Sequence, residues 1–241
     1  MASLTRTLEE KVSTKTVLFI SIAVIVAKWA AKAITNTHYV DAILARISSM
    51  QGIALTALTN GAFVVISVIL LLTLSREKVA DLGFHRRRLL KQVGLGALFG
   101  VLIFVLDTLL IGPVASALLP ETASPSVDMS IFFSKLSYVP IWLAMALLKG
   151  GFSEEMWRIF GLTRFEKRFG RAGLILALIA GSLVFGLGHA YQGPGAVLAN
   201  AVLGLLYAGV YLRKRSAWEA VAAHAVFDLI GITLGFVIYA Q

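Results

Sequence analysis

Long apolar runs separated by short, basic loops leave this chain few folds to choose from. Seven such runs can be drawn, at about residues 16–34, 52–75, 93–118, 136–162, 172–191, 195–212 and 217–240. About 20 apolar residues cross the ~30 Å hydrocarbon core of a bilayer as a helix. Within lipid, every backbone N–H and C=O must find a partner inside the chain, which only helices and closed barrels achieve. The runs lack the apolar–polar alternation of barrel strands. Composition agrees, since 58% of the residues are hydrophobic and 15% charged, against about 45–50% and 25% in soluble domains. The expected fold is all-α, a polytopic membrane protein of about seven transmembrane helices in one bundle. It divides into a three-span region over 1–130 and a four-span region over 131–241.

Charge placement gives the orientation. The chain has 22 Lys and Arg against 13 Asp and Glu. They collect in the loops: Arg76, Lys78, Arg86, Arg87, Arg88 and Lys91, then Arg164, Lys167, Arg168 and Arg171, then Arg213, Lys214 and Arg215. These loops alternate with 120–128, which has no Lys or Arg, and with the short 189–195 turn. Positive loops face the cytoplasm, so the pattern predicts a cytoplasmic N-terminus in a multi-pass protein, with a prokaryotic cell membrane as the expected location. The basic residues form no single amphipathic face, and the lipid bilayer rather than nucleic acid is the expected partner. The absence of cysteine excludes thiolate chemistry. The first run carries Lys28 and Lys32 and no clear small-residue cleavage site, so it reads as a retained span. The first fifteen residues and 37–50 read as interfacial anchors.

Against this background, Glu154-Glu155-Met156-Trp157-Arg158 is anomalous. A charged side chain at the bilayer centre costs roughly 2.5–3.5 kcal/mol even on lenient scales, so three in one short stretch need a reason. Glu154 and Arg158 are four apart and can pair on one helix face, with Glu155 turned about 100° away. Such a pair can be a simple interhelical lock. A second carboxylate weakens that reading, because neighbouring like charges leave one group poised as an acid or base. Two further motifs follow: Phe185-Gly186-Leu187-Gly188-His189, and His224-Ala225-Val226-Phe227-Asp228 with its imidazole and carboxylate one turn apart.

Together the three motifs resemble those of the CAAX protease and bacteriocin-processing (CPBP, or ABI) family of intramembrane proteases: E-E-x-x-x-R, F-x-x-x-H and H-x-x-x-N/D. The second matches at Phe185 and His189, the third at His224 and Asp228. The likeness covers about 136–232 and extends to Arg168-Phe169-Gly170, Gly193-Pro194 and Trp218. The first motif departs from the pattern, because Arg158 follows the glutamates after two residues rather than three. Anchored on the glutamates, Glu154 takes the catalytic place. Anchored on the arginine, Glu154 takes the second-Glu place and Ser153 the catalytic one. A helix bulge near Gly150-Gly151 would restore the usual arrangement, and Glu154 is the preferred base.

The resemblance implies an intramembrane endopeptidase whose core is 131–241, acting on a membrane-embedded or prenylated peptide or protein. Its implied catalytic set is Glu154, Glu155, Arg158, His189, His224 and Asp228. Glu154 and His189 would activate a water, His224 and Asp228 would hold the oxyanion, and Glu155 and Arg158 would fix the carboxylates. No cofactor is predicted. A divalent metal such as zinc stays open, with Glu154, His189 and His224 as its ligands, although the chain lacks H-E-x-x-H spacing. The alternatives are a catalytically inactive membrane scaffold or immunity protein, motivated by the slipped arginine, and a small transporter. A helical ruler of about 1.5 Å per residue raises a difficulty. Measured from the basic loops it puts Glu154 roughly 15 Å deep and His224 to Asp228 roughly 10–17 Å, but His189 roughly 27 Å. Among the remaining intramembrane cations, Lys28 and Lys32 are expected to snorkel or pair with Asp107, and Lys149 to serve as counter-ion to the glutamates.

Overall fold

The computed structural model describes residues 13–35, 50–120, 133 and 135–239. The expected interfacial segments at the N-terminus and over 37–50, and the boundary near 130, lie wholly or largely outside these residues. Every regular element described is helical. The elements are α1 (Thr14–Thr35), α2 (Met50–Leu74), α3 (Leu89–Leu106), α4 (Gly112–Leu118), α5 (Val139–Ala144), α6 (Glu155–Leu187), α7 (Pro194–Lys214) and α8 (Ala217–Tyr239). A π-helical stretch, Asp107–Ile111, joins α3 to α4, and a longer one, Met145–Glu154, joins α5 to α6.

Six helical segments among the described residues are long and apolar enough to cross a membrane, where the sequence predicts seven. The difference lies in Leu136–Leu187, which is continuous by hydrogen bonding over 52 residues. A straight helix of that length would run to roughly 78 Å. It is not straight. Gly170 takes φ +62° and ψ −148°, outside helical space and open to glycine for want of a Cβ. The two arms then fold back on each other: the Arg158 guanidinium lies 4.5 Å from the centroid of Phe185, 27 residues later. The fourth and fifth expected spans are these two arms.

The three basic segments meet at one end of the bundle. Buried Arg164 makes a two-pronged ion pair with Glu77 (2.8 and 2.6 Å), and Lys167 reaches the same carboxylate at 2.7 Å. Burial works against ionisation of Glu77, and the hydrogen bonds from Arg164 and Lys167 outweigh it, so its carboxyl titrates below the usual range. Arg215 grips Glu166 with both nitrogens (2.6 and 2.7 Å). Ala217 N–H donates to the Gly83 carbonyl at 3.1 Å. The turn at Gly83 needs φ +97°, and a Cβ there would strike the Arg215 carbonyl. The helices' outer faces stay apolar and uncovered, with Phe19, Phe63, Leu90, Leu109 and Val237 all more than two-thirds exposed. Lipid is the solvent such a surface requires. Inside, Ile25 of α1 and Val68 and Leu72 of α2 pack in one cluster with Met156, Ile159 and Phe160 of α6. The N-terminal helices therefore form walls around the glutamate-bearing helix.

Candidate active site

The glutamates sit where the π stretch returns to α-helix. In π geometry, hydrogen bonds run five residues along, so side chains five apart come onto one face. That is how Lys149 reaches Glu154, and the two form an ion pair. Beyond the transition, ordinary helical spacing brings residues three apart together, and Arg158 pairs with Glu155. The expected Glu154–Arg158 pair is therefore not formed. The change of helix type, upstream of the motif, turns Glu154 toward Lys149 and leaves Glu155 to the arginine.

Two glycines in the π stretch let α8 approach. A Cβ on Gly150 would run into the Asp228 carboxylate, and one on Gly151 would lie 2.7 Å from the Ala225 Cβ and 3.1 Å from the Val221 carbonyl. Because the obstacles at Gly151 are a rigid methyl and backbone, Gly151→Ala is expected to lower stability by about 1–3 kcal/mol and to impair whatever the site does. Thermal unfolding in detergent measures the loss. Gly209→Ala is the control, since nothing lies within 4 Å of that position.

This close approach sets His224 against the glutamates. Its Nδ1 is 2.7 Å from Glu155 Oε1, and its Nε2 lies 3.9 Å from Glu154 Oε2 and 3.7 Å from Asp228 Oδ2. The ring is clamped from above by Tyr207 of α7, stacked at 4.4 Å and 12°. Tyr207 was not among the expected residues, because a tyrosine in an apolar helix carries no spacing signal that separates it from core. Arg158 stacks on Phe185 and Tyr207, at 4.5 and 5.5 Å. Glu155 is sealed, with no exposed side-chain surface, and its Oε2 is buried without a hydrogen-bond partner among the described residues. The Glu154 side chain keeps 22% of its surface. It opens into a cavity of about 560 Å³ walled by α1, α2 and both arms of α6.

His189 follows α6 in a short turn. Its ring touches Phe185 at 5.1 Å, and Phe185 touches His224 at 5.7 Å, so the two imidazoles flank one phenyl ring. The depth difficulty is thereby removed. The first arm of α6 stays helical to Phe169, well past the expected end at Leu162. Measured from the Gly170 reversal, Glu154 is 16 residues away and His189 is 19, or roughly 24 and 28 Å. His189 Nδ1 is buried with no hydrogen-bond partner among the described residues. Asp107 Oδ1 is likewise unpartnered, and the expected pairing with Lys28 or Lys32 is absent there.

The described residues offer no group of three His, Asp or Glu side chains arranged to hold a metal.

Residues 135–230 match the family model described as type II CAAX prenyl endopeptidase Rce1-like. Over this stretch the chain is similar to that family. No curated protein and no solved structure matches the chain. The matched stretch contains all three polar motifs and lies on helices long and apolar enough to cross a membrane.

Proposed function

We propose that the protein is an intramembrane endopeptidase that hydrolyses a peptide bond with a water activated by Glu154 and His189. The observation that carries this is the difference between the two glutamates. Glu154 opens into the cavity, whereas Glu155 is sealed behind it by Arg158 and His224. A general base must reach both water and substrate, which favours Glu154. The carboxylate takes a proton from water, the oxygen attacks the scissile carbonyl carbon, and the same proton passes to the departing amine. His189 holds the water from the opposite side with a ring nitrogen. With Nδ1–H donated to Glu155, His224 turns Nε2 toward the space beside Asp228, where a second proton on Nε2 would let the ring donate to the developing oxyanion. Arg158 and Glu155 act by holding His224 in place.

The Gly170 reversal supports reading Leu136–Leu187 as two crossings, seven in all, with the N-terminus on the side of the basic loops. The substrate is a prenylated or membrane-embedded peptide that enters between helices from the lipid.

The test is cleavage of a farnesylated peptide by purified protein in detergent, run in ¹⁸O-water. The expected result is release of the C-terminal fragment with one ¹⁸O in the new carboxylate and no covalent adduct on the protein. Binding of the peptide without cleavage would instead support the scaffold reading. Ion or solute flux in sealed vesicles would support a transporter.

A further inference from the structure

Four cations line the cavity, Lys28, Lys32, Lys149 and Arg158, against one described carboxylate, Glu154. Two of the four are balanced: Lys149 by Glu154 and Arg158 by Glu155. Lys28 and Lys32 have no carboxylate within ion-pair distance among the described residues. They are one turn apart on α1, on a shared face, where like charges repel. Lys28 gains partial relief from the Trp157 ring, 4.2 Å from its ammonium. Lys32 reaches across to Gly188, immediately before His189, where any Cβ would collide with its ammonium. Two uncompensated ammonium groups in a lipid-embedded cavity are costly. An incoming anion removes that cost, and the cavity's cationic wall is thereby suited to receive one.

We propose that Lys28 and Lys32 form an anion subsite that takes the C-terminal carboxylate of the substrate peptide. The inference rests on the protease reading above and adds the end of the substrate that is recognised. The subsite shares its cavity with Glu154, and Val24, Trp29, Phe63 and Val64 supply apolar wall to the same cavity. A short apolar C-terminal segment would lie along those walls with its carboxylate on the lysines and its scissile bond at Glu154. The enzyme would then cut a few residues from a free C-terminus and discriminate against a blocked one. Both lysines lie outside 135–230, so this preference would be a property of this chain's own N-terminal helix.

The experiment compares two N-terminally labelled farnesylated peptides that differ only in ending as a free acid or an amide. Cleavage by the wild type and anisotropy binding to the Glu154→Gln protein are both measured in neutral detergent. The wild type is expected to favour the acid by at least about tenfold, the scale of one charge-assisted hydrogen bond. In Lys28→Gln/Lys32→Gln the acid-to-amide ratio should fall to near one, and Lys28→Arg/Lys32→Arg should restore it. Equal binding of acid and amide by protein with both lysines intact overturns the proposal. So does a ratio unchanged by the double glutamine variant. A third overturning result comes from nanodiscs containing phosphatidylglycerol: if the lysine variants change only the response to that lipid, the lysines serve a headgroup phosphate. Failure of the wild type to cleave either peptide counts against the protease reading alone, because the binding comparison still decides the subsite.

Discussion

Glu154→Gln is expected to reduce peptide cleavage by roughly 10²–10⁴-fold, the contribution of a positioned general base, while the protein still folds. Glutamine keeps the shape and a carbonyl oxygen for Lys149, so little packing is lost. The side chain faces the cavity rather than the core, with about a fifth of its surface accessible. What disappears is the capacity to take a proton. Glu154→Asp should fall between, because the carboxylate survives but withdraws by one methylene. The comparison with Glu155→Gln is diagnostic. That residue is shut off from the cavity, so its loss should act through His224, with reduced stability accompanying reduced rate. Rates on a farnesylated peptide, alongside unfolding temperatures of the same preparations, separate the two. If Glu154→Gln cleaves at the wild-type rate, Glu154 is not the base.

How the site relates to the sequence depends on which physical rule governs each part. The apolar runs locate the helices because lipid permits no other arrangement, and the basic loops are found knitted together at one end through Glu77–Arg164 and Glu166–Arg215. The three polar motifs do come together in space. Their pairings were less legible, because spacing arguments assume 3.6 residues per turn throughout. The π stretch 145–154 breaks that assumption just before the glutamates, pairing Lys149 with Glu154 and moving Arg158 to Glu155. No residue in the stretch announces π geometry, although the Gly150-Gly151 pair hints at distortion. The depth of His189 is hidden from the sequence for a related reason. The charges at Arg164 and Glu166–Arg168 read as a loop, but Arg164 is neutralised by Glu77 across the bundle, so the helix runs on to Phe169. Tyr207 was silent because stacking on His224 depends on where α7 lands against α8, a tertiary fact with no local pattern.

Arg158→Ala is expected to cost about 3–5 kcal/mol of stability, the range for removing one partner of a buried ion pair. Glu155 has no exposed side-chain surface, and its Oε2 has no partner among the described residues. Its Oε1 carries both Arg158 and His224. Without the guanidinium, a buried carboxylate is left with only an imidazole to balance it. The arginine also fills the space between Phe185 and Tyr207 by stacking on both rings, so truncation opens a void in addition. Arg158→Lys should recover little, since a compact ammonium cannot reproduce the planar stacking. The decisive comparison is Arg158→Met/Glu155→Gln. It removes both charges while keeping most of the volume, and should be more stable than Arg158→Ala alone. A double-mutant cycle on Arg158→Met and Glu155→Gln, read as unfolding free energy in detergent, should give a coupling of about 0.5–3 kcal/mol. Activity should not return with stability. In the double variant His224 loses the carboxylate that orients its Nδ1, and a ring free to turn no longer presents Nε2 to the substrate.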